Sequence, residues 1–133
     1  MEEIYKQQLL VEHLNEAIKT LLDELFTKLN EAYLCGVYFI DLAVEYGKEE
    51  DLEANAKLIE YIKKLGAQHK SLKNDFKEAQ NQLCAMCNEK FNSLSTAICG
   101  DDKLMNAYLA GEYQLAVSLG GVIPFLTRLS KIA

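Results

Sequence analysis

The apolar positions of this chain step four, then three residues apart over long stretches. One stripe runs from Leu58 through Ile62, Leu65, His69, Leu72, Phe76, Ala79 and Leu83 to Met86. That spacing puts side chains on one face of an α-helix. A second stripe holds Val11, Leu14, Ile18, Leu21, Leu25, Ala32, Cys35, Phe39 and Leu42, is widened by Leu22 and Leu29, and admits one polar residue, Lys28. Gly47 is placed to close the first helical segment, because glycine readily takes the left-handed conformation that ends helices. Glu49, Glu50 and Asp51 suit the positive N-terminal end of the next segment. Together these features predict a long helical hairpin. Gly36 and Gly66 fall inside its arms, where a glycine costs about 1 kcal/mol relative to alanine. The stripes keep register across both, which favours two continuous rods over a larger number of short helices. An unbroken second arm over residues 49–98 would be about 75 Å long, and rods of that length in a small chain generally need a partner.

The remainder follows from its punctuation. Gly100 ends the second arm, and Asp101 or Asp102 offers an N-cap side chain. A third helix carries Leu104, Met105, Tyr108, Leu109, Leu115 and Leu119, and Pro124 starts a short fourth. Between Leu104 and Thr127 the only charge is Glu112, and Ala107 with Gly111 and Ala116 with Gly120 form small pairs four apart. This tail reads two ways: as the most buried helix of the bundle, or as an apolar face awaiting another subunit. The fold class expected is all-α, an antiparallel helical bundle of four-helix-bundle type, built from a long hairpin plus one or two shorter C-terminal helices. With no Ser-, Gly- or Pro-rich linker in 133 residues, residues 1–133 are expected to form a single domain.

Charge narrows the function classes. The net charge is -6 and unevenly spread: residues 1–60 hold 14 acids against 5 lysines, residues 61–133 hold 9 bases against 6 acids. Such a chain can lay its acidic half on its basic half or stack against copies of itself. An acidic chain with one arginine, Arg128, lacks the basic excess of a nucleic-acid binder. The longest stretch without a charge, Tyr113 to Thr127, is shorter than the roughly 18 to 20 residues of a membrane span, and Gly120, Gly121 and Pro124 interrupt it. The N-terminus has no basic region followed by an apolar core, so the expected location is cytoplasmic, or a virion if the protein is a viral subunit.

Little points to chemistry. Cys84-Ala85-Met86-Cys87 is a CxxC, the spacing of zinc ribbons and redox sites, but here it falls mid-helix and no second CxxC accompanies it. Cys84, Cys87 and His69 are the candidate metal ligands, with Cys35 or Cys99 as further donors, against the alternatives of thiols packing as small hydrophobes or forming a disulfide. His69 stands where leucine is expected and could equally hydrogen-bond within the bundle. His13 and Glu16 form an i, i+3 pair without the partner motif of a di-iron bundle. There is no nucleophile elbow, phosphate-binding glycine loop or HExxH, so no catalytic residue and no cofactor are expected. Lys63, Lys70 and Lys77, seven apart, line the outward face of the second arm. With Leu115, Leu119 and Phe125 of the tail they are the candidate interface residues. The leading expectation is a non-enzymatic structural or assembly subunit or an interaction adaptor, viral subunits being one such class, whose partner is itself or another protein. The alternative is a bundle that binds a metal or small cofactor through Cys84, Cys87 and His69.

Overall fold

A computed structural model describes residues 1–34, 53 and 55–133, and among them the regular structure is all-α. Four helices follow one another: α1 (Glu2–Leu34), α2 (Ala56–Cys99), α3 (Lys103–Leu119) and α4 (Val122–Ile132). The bundle-like all-α fold expected from the periodicity is thus what forms. No described helix is long and apolar enough to cross a membrane. Gly66 lies inside α2, which runs through it without a break. Cys35, Gly36, Phe39, Leu42, Gly47, Glu49, Glu50 and Asp51, on which the expected hairpin turn depends, lie outside the described residues.

By its contacts the chain divides into two compact units, Met1–Val11 with Glu78–Ala133, and Glu12–Lys77. In the first, all four helices feed one core. Ile4 of α1 meets Cys87, Phe91, Leu94 and Cys99 of α2, Leu109 and Tyr113 of α3, and Phe125, Leu126 and Leu129 of α4. The rings of Phe91 and Tyr113 stack at 4.3 Å and 5°, and Phe125 tilts against both at 6.3 and 6.2 Å. Here α1 and α2 run antiparallel: Ile4 shares a surface depression with Met86 and Lys90, while Val11 neighbours Gln80 and Leu83. Polar ties fix the packing. Gln7 Nε2 donates to the Ala79 carbonyl at 3.0 Å, Tyr5 and Thr127 share a hydroxyl hydrogen bond of 2.7 Å, and Ser95 Oγ donates to Asn106 Oδ1 at 2.9 Å.

The second unit has a thinner core. Ala32 packs with Ile59 and Ile62, flanked by Leu25, Leu29 and Leu58, and Leu21 and Leu65 are also buried. Every residue of the α2 stripe, from Leu58 to Met86 and including His69, is buried or half-buried, as the four-three spacing requires. The described part of the α1 stripe behaves likewise, with Lys28 half-buried among it. Lys28 places its ammonium 5.7 Å from the Tyr61 ring centre and 3.2 Å from Glu31, and Tyr61 donates its hydroxyl proton to Glu24.

The helix ends follow their local chemistry. Gly100 takes a φ of 52° after α2, and Asp102 caps α3 by accepting from the backbone N–H groups of Leu104 and Met105 at 3.1 Å each. Gly120 closes α3 in the left-handed conformation at φ 73°, its N–H directed at the carbonyls of Ala116 and Val117. α4 begins at Val122, two residues before Pro124. The proline sits in the first turn, where no intrahelical partner is needed for the N–H it lacks.

On α3 the two readings of the tail divide between its sides. Of Leu104, Met105, Tyr108, Leu109, Leu115 and Leu119, only Leu109 is buried, and it is Tyr113 and half-buried Ala116 that join it against the core. The helix is apolar on two sides. At 100° per residue, Leu109, Tyr113 and Ala116 lie within about 60° of one another, and Leu104, Tyr108, Leu115 and Leu119 lie within another stripe of about 60° centred roughly 120° away. The core accepts the first stripe and leaves the second in solvent.

Candidate functional site

Two features of the first unit stand out beyond its core: a cavity beside the CxxC pair and the outward stripe of α3. The cavity has a volume of about 640 Å³ and is walled by all four helices. α1 supplies Gln8 and Val11. α2 supplies Gln80, Leu83, Cys84, Cys87 and Asn88, one side of its helix over two and a half turns. α3 adds Tyr113, Gln114 and Val117, and the turn from Gly120 into α4 adds Val122, Ile123 and Pro124. The lining is therefore an aliphatic surface, two thiols, a phenol and four side-chain carboxamides, with no carboxylate or ammonium group.

The Tyr113 hydroxyl donates to Asn88 Oδ1 at 2.5 Å, which holds the phenol at the edge of the aromatic stack and leaves the Asn88 amide N–H₂ as a donor. Cys87 is buried and Cys84, one turn earlier, is exposed. Burial raises the pKa of the Cys87 thiol, and the neighbouring Cys84 adds to this. Burial likewise raises that of the Tyr113 phenol, with smaller contributions from Cys87 and Cys84. Both groups are protonated at neutral pH, so Cys87 does not offer the thiolate needed by a nucleophile.

These shifts carry a sign for stability. A group whose pKa is raised by folding ionises more easily in the unfolded chain, so the stability present below the ordinary thiol and phenol values is lost as pH rises through them. The first unit is accordingly expected to lose stability from about pH 9 upward. Denaturant midpoints from pH 7 to 11 check this. Cys87→Ala and Tyr113→Phe should each flatten the alkaline limb, and a limb unchanged in both variants would contradict the assignment.

The structure does not bring the candidate metal ligands together. Cys84 and Cys87 share the cavity wall, but His69 lies fifteen residues earlier on α2. Among the described residues no group of three or more His, Cys, Asp or Glu side chains is placed to hold a metal ion. Cys99 is buried in the core of the first unit, and Cys35 lies outside the described residues. His13 is exposed.

The interface candidates separate as well. Lys63, Lys70 and Lys77 are exposed on α2, and Leu115 and Leu119 are exposed on α3. Phe125 is corrected: it is buried in the aromatic stack, because α4 turns its Phe125, Leu126 and Leu129 edge inward. Among the described residues the ion pairs Lys6–Glu2, Lys19–Glu16 and Lys28–Glu31 all lie within α1, so the lysine row on α2 meets no carboxylate there. Sequence reading missed Tyr113, Asn88 and the glutamines of the cavity. Only Tyr113 left a signal, the step of four from Leu109. Comparison with protein-family models, with curated proteins and with solved structures finds no match to this chain.

Proposed function

We propose that this protein is a non-enzymatic structural subunit that assembles with copies of itself through the outward stripe of α3. One observation carries the reading: Leu104, Tyr108, Leu115 and Leu119 are 85, 63, 53 and 77 % exposed and fall on a single stripe. Single exposed apolar side chains are ordinary, whereas a contiguous set of large ones marks an interaction surface. The stripe also mirrors itself. About a midpoint between Gly111 and Glu112, Leu104 is the counterpart of Leu119 and Tyr108 the counterpart of Leu115. An antiparallel α3 from a second copy therefore sets Leu104 against Leu119 and Tyr108 against Leu115 twice over, the self-complementary arrangement of a twofold dimer. Gly111 supports this. Apart from the adjoining residues and backbone of α3 itself, no described atom lies within 4 Å of where its Cβ would stand, so internal packing does not require glycine there. A mid-helix glycine costs about 1 kcal/mol relative to alanine, and close approach of another backbone gives it a use.

The lysine row adds a second, charge-based surface. In the unit Glu12–Lys77, the α1 residues hold five acids against two lysines and the α2 residues hold six lysines against two acids. Lys63, Lys70 and Lys77 of one copy can meet the acids of another, a contact that weakens as salt screens it. The apolar α3 contact persists at high salt.

Light scattering and sedimentation over a range of concentrations, at low and at 1 M salt, test this. The expected result is a dimer that survives salt and larger species that do not. Leu115→Glu places an unpaired charge in the apolar contact and is expected to weaken dimerisation at least about tenfold, with helical content unchanged because Leu115 is outside the core. A wild-type chain that stays monomeric to its solubility limit, or a variant that associates as the wild type does, overturns the reading.

A further inference from the structure

The geometry points to the cavity beside Cys84 and Cys87 as a binding site for an uncharged, largely apolar small molecule bearing hydrogen-bonding groups. At about 640 Å³ it falls in the range of small-molecule sites, which are mostly apolar and carry a few polar groups that fix orientation. Leu83, Val117, Val122 and Ile123 supply aliphatic surface for the body of the molecule. Gln8, Gln80 and Gln114 stand around it, each with a carbonyl acceptor and an amide donor. Asn88 is different. Its Oδ1 already accepts from Tyr113, so it faces the cavity mainly as a donor, suited to a carbonyl or ether oxygen.

Neutrality is the discriminating property. The lining has no carboxylate to pair with a cation and no ammonium or guanidinium to pair with an anion, so an ion meets no counter-charge there. The buried Cys87 thiol does not supply one, since burial keeps it protonated. A soft metal ion is disfavoured for the same reason and because no third ligand stands nearby among the described residues. The site is distinct from the outward stripe of α3: Leu104, Tyr108, Leu115 and Leu119 do not line it.

Cys84 reports on occupancy, because it is exposed and lines the cavity. The test follows its alkylation by N-ethylmaleimide with peptide mass spectrometry, with the neutral dye Nile red or the anionic dye anilinonaphthalene sulfonate as probe. With Nile red at ten times its dissociation constant, only the free fraction reacts, so alkylation of Cys84 is expected to slow roughly tenfold. The sulfonate at equal concentration is expected to leave the rate unchanged. Val117→Trp, which fills the cavity from a position half open to solvent, is expected to abolish the protection while circular dichroism keeps its helical signal. The measurement is repeated in Leu115→Glu, so loss of assembly and loss of ligand binding are read separately. No slowing by Nile red, equal slowing by the sulfonate, or protection that survives in a folded Val117→Trp overturns the assignment.

Discussion

Phe91→Ala is expected to lower the stability of the folded chain by about 3–5 kcal/mol, the usual cost of emptying a buried aromatic site. Phe91 is the centre of the first unit's core, with Tyr113 stacked on it at 4.3 Å and Phe125 tilted at 6.3 Å. Truncation removes the ring's own burial and both ring contacts, each pair being worth about 0.5–1.5 kcal/mol beyond the area it covers. Tyr113 comes from α3, Phe125 from α4 and Phe91 from α2, so three helices lose their common contact at once. Urea denaturation followed by helical circular dichroism measures the loss. A drop below about 1 kcal/mol would mean that the stack contributes no more than a surface contact.

Leu126→Ala is expected to cost about 2–5 kcal/mol, and Leu104→Ala to stay within about 0.5 kcal/mol of wild type. The two leucines are chemically identical and lie 22 positions apart, but Leu126 is fully enclosed and Leu104 is 85 % exposed. Deleting three carbons from Leu126 leaves a hole among Phe125, Leu129 and the α2 and α3 side chains around it, and the backbones cannot close it fully. Deleting them from Leu104 removes surface that water already touches. The same pair measured for association should reverse: in the proposed dimer Leu104 would oppose Leu119 of the second copy, so Leu104→Ala is expected to weaken it. If Leu104→Ala cost as much folding stability as Leu126→Ala, the outward stripe of α3 would belong to the core and the assembly reading would fail.

The candidate surfaces were legible to different degrees. Lys63, Lys70 and Lys77 could be placed on an exposed face from their spacing of seven, because long charged side chains stay in water on any amphipathic helix. Leu115 and Leu119, which are exposed, and Phe125, which is buried, were not separable from one another: all three sit in one nearly uncharged tail, and composition carries no direction. Cys84 and Cys87 drew attention through a spacing associated with metals, yet what surrounds them is a cavity of carboxamides and aliphatic groups. Gln8, Gln80 and Gln114 come from three different helices, so no local pattern records their meeting.

What the amino-acid order determined alone is local and periodic: the long α2 with its buried stripe, continuity through Gly66, a cap at Asp101 or Asp102, the glycine end at Gly100, and the all-α class. Each depends on backbone hydrogen bonding and on contrast between apolar and polar positions within a few turns, and both are written along the chain. Tertiary structure alone decided which side of α3 is buried. With large apolar residues on two sides, that helix has little contrast to orient it, and the choice falls to shape, namely to the Phe91 and Phe125 rings that admit Tyr113. The cavity beside Cys84 was decided the same way, as the space four helices leave between them once those rings are packed.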